Sequence, residues 1–317
     1  MSTLSSGPVI AEVVRGGTVE SIHHGLVVVT SPSGSVEFAL GDPEVSVYPR
    51  SALKPVQALA MLASGLRLNP RQLALACASH SGTAEHLDVV RSTLADAGLP
   101  LEALHNTPDL PYAPAERAAW LAAGRSPSSL AQNCSGKHAA MVAACRHNGW
   151  DVETYLDADH PCQTLVADAI TDLGVEVRGA SVDGCGAQCF LIGLADLARI
   201  FGGLAAAGDG AAREVADAMR AHPELVGGDG RTATRIMQQA PGVVAKDGAE
   251  AVFALGLPDG RGVALKIADG SERAVPVVVA ALLRRLGVGP VALWDALAEA
   301  PVLGHGRPVG EVRATTL

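Results

Sequence analysis

Over the first fifty residues, short β-branched and apolar runs alternate with glycine and polar clusters. IAEVVRGG, GLVVVTS and SVEFALG, within residues 9–48, predict strands, and SPSGS between the last two is turn chemistry. From residue 51 to 64 the period changes. Leu53, Val56, Leu59, Ala60 and Leu62 recur at helical spacing. LALACASHSG (73–82) is an apolar run that ends in a polar loop, and TAEHLDVVRSTLADAG (83–98) is helical, with Gly98 as its C-cap. A proline-rich connection follows at 107–114.

Helical patterns resume at 135–149, capped by Gly149, and at 160–174. VEVRGASVDGCG (175–186) predicts a strand ending in a tight glycine loop. DLARIFGGLA and GAAREVADAMRAH predict two more helices. Residues 243–270 predict an antiparallel meander with turns at KDG and PDGRG, residues 271–287 a long helix, and GRPVGEVRATTL a last strand. No fixed-period repeat, linker or low-complexity tract divides the chain. The expectation is a single compact α+β unit over residues 1–317. Its helical middle, about 51–240, lies between N- and C-terminal strand groups that share one mostly antiparallel sheet.

Composition narrows the function. The 317 residues are 48% hydrophobic and 18% charged, which is the balance of a folded core. Aromatics make up 3%, too few for base-stacking platforms. The net charge of −9 argues against nucleic acid or an anionic membrane as partner. The longest apolar run, AVPVVVAALL, is too short to span a bilayer, and the N-terminus shows no secretory pattern. A cytoplasmic protein is expected, with its six cysteines as thiols or metal ligands.

Five segments carry candidate chemistry. In PRSALKP (49–55), Ser51 and Lys54 lie three residues apart, and Arg50 precedes the serine. A neutral lysine one turn away could take the serine proton and make the hydroxyl nucleophilic, as in S-x-x-K hydrolases. The alternative is an N-capping serine with a solvated lysine, and Pro55 biases Lys54 away from helical dihedrals. CASHSG (77–82) places Ser79 in a small-residue loop behind a rigid element. QNCSGKHAA (132–140) gathers Cys134, Lys137 and His138 at a helix start, either as metal donors or as a capping turn over a buried thiol. VDGCGAQC (182–189) sets Asp183 and Cys185 in a glycine loop. In LKIADG (265–270), Lys266 interrupts an apolar strand, for which the plain reading is an edge position. Cys77, Cys145, Cys162 and Cys189 read as core thiols.

In this order, RSALKP, CASHS, NCSGKH, DGCG and LKIADG resemble the signature blocks of the rhizobial-type L-asparaginases, across residues 50–270. The resemblance implies a fold similar to serine β-lactamases and glutaminases, and hydrolysis of L-asparagine to L-aspartate and ammonia. It implies two Ser-Lys pairs, Ser51 with Lys54 and Ser79 with Lys266. It also implies a zinc ion held by Cys134, Lys137 and Cys185, a substrate pocket lined by Arg50, His138 and Asp183, and a homodimer. The chain departs from the pattern after DGCG, where AQC replaces an expected small-residue–proline step. Cys189 there either competes for metal or packs. A glutaminase, another serine amidohydrolase acting on β-lactams or peptides, and a non-catalytic zinc-binding relative are the rival readings.

Overall fold

The computed structural model describes residues 7–315 and is α+β. The chain forms two compact units. One comprises the residues up to Val47, Gly193–Ala206 and the residues from Arg235 on. The other comprises Tyr48–Ile192 and Ala207–Thr234. Among the described residues, no helix is long and apolar enough to cross a membrane.

The first unit is built on one antiparallel sheet. Its strands are β1 (Val9–Arg15), β2 (Thr18–Thr30), β3 (Val36–Leu40), β7 (Val244–Gly248), β8 (Val252–Gly256), β9 (Gly262–Ile267), β10 (Pro301–Gly304) and β11 (Arg307–Ala314). The order is β10-β11-β1-β2-β9-β8-β7, with β3 also paired to β2. N- and C-terminal strand groups thus share a sheet, as expected. Strand β2 makes this possible by its length. Its first half pairs with β1, and its second half, Gly25–Thr30, runs against Ile267–Gly262 of β9. That second half is buried throughout, as are β8 and β9. Strands covered on both faces read as continuous apolar runs rather than alternating ones. Helix α7 (Leu194–Ala206) packs directly on β8 and β9. A Cβ at Gly262 would stand 1.8 Å from the Ala198 carbonyl oxygen, so only glycine admits the helix backbone there. Helices α11 (Val275–Leu286) and α12 (Val291–Ala298) pack on each other, and α11 also meets β1 and β11.

The second unit is helical, with one small hairpin. Helix α5 (Ser135–Asn148) is its centre. Every residue from Ser135 to Cys145 is buried, which suits a helix enclosed on all sides. Around it pack α1 (Lys54–Ala63), α2 (Pro70–Ala76), α3 (Ala84–Asp96) and α6 (Pro161–Asp172). Asn69 opens α2 with a capping box to Gln72, and Thr83 opens α3 with one to His86. Strands β5 (Gly179–Val182) and β6 (Gln188–Gly193) form the hairpin, so the strand expected over 175–186 is shorter and its glycine loop is the hairpin turn. Helix α4 (Pro114–Ala122) occupies a segment whose start had read as part of a proline-rich connection.

Candidate active site

The second unit brings together Arg50, Ser51, Lys54, Ser79, Cys134, Lys137, His138, Asp183 and Cys185 within a connected set of segments. Residues Arg50–Leu53 form a 3₁₀ turn that runs into α1, and the Lys54 N–H donates to the Ser51 carbonyl. In that geometry residues i and i+3 eclipse, so the turn aligns Ser51 with Lys54 more closely than an α-helix does. Ser51 therefore caps nothing with its side chain, and α1 begins at Lys54 after Leu53. Lys54 takes helical dihedrals, φ −57° and ψ −35°, although Pro55 follows it. The bias expected from the proline is overridden by the turn and by burial of the lysine.

Lys54 is 2% exposed. Its amine donates to the Ala78 carbonyl, to Ser79 Oγ at 3.2 Å and to Cys134 Sγ at 3.2 Å. The Ser51 hydroxyl, half-buried, makes no side-chain hydrogen bond among the described residues. Arg50 has φ +52°, left-handed for a non-glycine residue, which costs about 1–2 kcal/mol. The strained backbone aims its guanidinium at Asp183, with Nε 2.8 Å from Oδ1.

Ser79 sits in the loop after α2, with backbone held from both sides. Its N–H donates to the Val226 carbonyl at 3.0 Å, and its carbonyl accepts from Arg231 at 3.2 Å. Arg231 lies over the Tyr112 ring, 4.4 Å from the centroid. His80 is fully buried with Nε2 2.8 Å from Ser135 Oγ; burial, then the charges of His86, Lys54 and Arg231, holds its pKa well below the usual histidine range.

The thiol cluster forms at the N-terminus of α5. Cys134 is the N-cap residue. A Cβ at Gly136 would meet the Leu75 carbonyl oxygen at 2.4 Å, which explains the glycine in SGKH: α5 must start against the end of α2. Lys137 is 3% exposed and donates to Cys185 Sγ at 3.1 Å. Cys185 arrives on the β5–β6 turn, which closes through Gly186 N–H on the Asp183 carbonyl and Gly184 N–H on Asp183 Oδ1. The Cys134 thiol is held up by its hydrogen bond to Cys185 and by burial. The Cys185 thiol is drawn down, first by that hydrogen bond and then by Lys137 and His138, against the burial that opposes charge. Burial opposes charge on Lys137, and the two sulfurs outweigh it and raise its pKa. His138 is fully buried and pushed down to about 4, by burial and then by Lys137. Its Nδ1 lies 2.8 Å from the Tyr155 hydroxyl, and its Nε2 has no hydrogen-bond partner among the described residues.

Two sulfurs and one amine make a three-donor set for a thiophilic divalent metal. Among the described residues no three His, Cys, Asp or Glu side chains come together to hold a metal, and Lys137 is the third donor of this set. A cavity of about 370 Å³ in the same unit, lined by Gly65, Arg67, Asp96 and Arg146, touches none of these groups.

Lys266 lies in the first unit. Strand β9 pairs with β2 on one side and β8 on the other, so the edge position read from the sequence is wrong. The amine bonds the carbonyls of Glu250, at 2.6 Å, and Ile267, and burial lowers its pKa against the pull of Glu250 and Asp269. Cys189 follows the turn in β6 and burial pushes its thiol up to about 11.

With this geometry in place, the relatives can be compared. The family model of L-asparaginase II matches residues 11–314. The chain belongs to the L-asparaginase II family. It is accordingly an amidohydrolase of asparaginase type. No match to a curated protein was found. Among solved structures, it is similar to EstCE1, a hydrolase with promiscuous acyltransferase activity, at 13% identity and TM-score 0.45, over 92% of this chain and 94% of that one. It is also similar to Mglu in its glutamate form, at 18% identity and TM-score 0.42, over 83% of this chain and 60% of that one.

Three residues of this asparaginase-type site escaped the sequence. Tyr155 lies in the polar segment DVETYLDADH, Arg231 in the glycine-rich GGDGR, and Gln163 inside α6. None sits in a chemical motif. Only the scarcity of tyrosine, three in the chain, could have marked Tyr155.

Proposed function

We propose that this protein hydrolyses the side-chain amide of L-asparagine to L-aspartate and ammonia, with Ser51 as nucleophile and Lys54 as its base. The observation that carries this reading is the buried Lys54 amine, one 3₁₀ turn from Ser51 and in contact with Ser79 Oγ. Ser51 Oγ attacks the amide carbon, and its proton passes to the Lys54 lone pair. The C–N bond of the tetrahedral intermediate then breaks. The leaving nitrogen takes a proton from Ser79, which recovers one from Lys54, and departs as ammonia. Water attacks the remaining ester, gives up its proton along the same pair, and releases aspartate and free Ser51. Lys266 is the second lysine that the family pattern assigns to proton relay, and that role rests on the motif alone. Arg50, paired with Asp183, fits the polar lining for the substrate's amino and carboxylate groups, and His138 is the third residue of that pattern.

Cys134, Lys137 and Cys185 would hold zinc. Lys137 Nζ and Cys185 Sγ lie 3.1 Å apart, so two of the three donors are already neighbours. The orphaned Nε2 of His138 beside this cluster also suits a site built around a ligand. When bound, zinc supplies a Lewis-acidic position that can orient the substrate's α-amino or carboxylate group.

The test is ammonia release from L-asparagine and L-glutamine, with nitrocefin as a third substrate, each with and without chelator. Release from asparagine well above glutamine, with no nitrocefin turnover, supports the reading. Preference for glutamine or nitrocefin replaces it with a rival hydrolase, and no turnover of any substrate leaves a binding protein.

A further inference from the structure

His86 is the third residue of α3, and its imidazole is buried. Two one-way partners fix its ring proton. The Thr83 N–H can only donate, and it reaches Nδ1 at 3.2 Å. The Glu224 carbonyl can only accept, and it lies 3.0 Å from Nε2. Nδ1 therefore carries no proton, and Nε2–H donates to Glu224. Burial lowers the pKa and so favours this neutral ring. Capping α3 needs only Nδ1. At the same position in α2, Gln72 closes the capping box with a side-chain oxygen. The second histidine nitrogen has a different task.

Glu224 belongs to the short helix Pro223–Val226, which anchors the Ser79 loop. The Val226 carbonyl accepts the Ser79 N–H at 3.0 Å, and the Gly227 carbonyl accepts from Ser81 Oγ at 3.0 Å. A Cβ at Gly228 would stand 2.0 Å from Ser81 Oγ, so a side chain there would force anchor and loop apart. Thr234 Oγ1 donates to the Pro223 carbonyl at 3.1 Å and holds the other end of the short helix. The His86 ring also stacks on His80, 5.2 Å between centroids at 18°. His80 stands between the two serines, and its own N–H donates to the Asn133 carbonyl at 3.0 Å. One imidazole thus touches both the residue next to Ser79 and the helix that receives the Ser79 N–H.

We propose that His86 is a positioning residue for Ser79: through the Glu224 carbonyl and the stack on His80, it sets where the Ser79 hydroxyl stands beside the Lys54 amine. This rests on the relay reading above, in which Ser79 gives a proton to the leaving nitrogen. Ser79 Oγ lies 3.2 Å from Lys54 Nζ, already at the long end of hydrogen-bond lengths, so the pair tolerates little further separation. A misplacement of about 1 Å can cost about 100-fold in rate. The loss falls on the step that needs the proton, and it shrinks as the leaving group needs less protonation.

L-aspartate β-hydroxamate supplies the contrast, because hydroxylamine is small, less basic than ammonia, and leaves with less proton help. The value of kcat/KM, which compares the free enzyme with the acylation transition state, is measured on both substrates for wild type and four variants. His86→Gln keeps the capping oxygen and loses the stack, while His86→Phe keeps the stack and loses both nitrogens. Each should lower kcat/KM about 10–100-fold for asparagine and no more than about threefold for the hydroxamate. Thr83→Val weakens the α3 cap but leaves the backbone N–H on Nδ1. It should lower the thermal midpoint and keep both rates within about twofold of wild type. Equal losses on the two substrates, no loss in the His86 variants, or a Thr83→Val protein that loses as much asparagine activity would make His86 merely structural and overturn the proposal. If one His86 variant fails to fold, the other decides, and failure of both overturns the proposal as well. Ser79→Ala that keeps the wild-type ratio of asparagine to hydroxamate rates would remove the relay reading itself, and the proposal with it.

Discussion

Helix α5 carries a cysteine at each end of its buried stretch, and each meets a second cysteine of the same unit. Cys134 at the N-cap meets Cys185 of the hairpin turn, while Cys145, about 16 Å further along the helix axis, meets Cys162 of α6. In both pairs the neighbouring thiol raises the pKa of one member. Cys162 is held up by its bond to Cys145 and by burial, as Cys134 is by Cys185. The surroundings separate them. Cys134 and Cys185 each touch a lysine amine, Lys54 at 3.2 Å and Lys137 at 3.1 Å. Cys162 has the Met61 sulfur at 3.9 Å, and neither member of its pair bonds a lysine among the described residues. Two thiols in contact are therefore ordinary core packing. It is the buried amine, a charge partner that becomes a donor once it loses a proton, that makes one pair a candidate metal site.

Cysteine substitution should separate the pairs most widely. Cys185→Ala should weaken zinc by at least about a hundredfold, because each ligand carries a large share of the binding free energy. Cys145→Ala should stay within about threefold, being remote from the donors. Equal losses in a competition titration would break the comparison. The pH dependence should be nearly as large. The raised Cys134 thiol and Lys137 ammonium must both lose a proton to bind metal. Metal binding should then release protons, so affinity rises with pH and falls toward acid. Titration calorimetry in buffers of different ionisation enthalpy counts them, and no proton release would contradict the ligand set. The smallest effect falls on the other pair. Cys162→Ala removes a packed sulfur and should lower stability by about 1–2 kcal/mol in urea denaturation, with ammonia release unchanged.

The legibility of this molecule follows the same division. The strands at 9–48 and 243–270 were readable because turn residues bracket apolar runs, and the sheet they share holds both groups. Helix α4 was missed because none of its residues is buried, so it has no apolar face to show a period. Lys266 was read as an edge residue because a lysine in a strand normally reaches water, but here two backbone carbonyls receive its amine inside the sheet. The blocks at 50–54, 79 and 134–138 were visible as motifs. Lys54 between Ser79 and Cys134, and the Tyr155 hydroxyl against His138 Nδ1, were not, because contacts between segments far apart in sequence have no local pattern.

The central claim is that Ser51, served by Lys54, carries the acyl group. Acid quench of the enzyme during turnover of L-asparagine, followed by peptide mapping, tests it most directly. The account predicts a β-aspartyl ester on the peptide bearing Ser51, absent in Ser51→Ala. An ester on Ser79 instead, or ammonia release by Ser51→Ala above about a tenth of the wild-type rate, would contradict it.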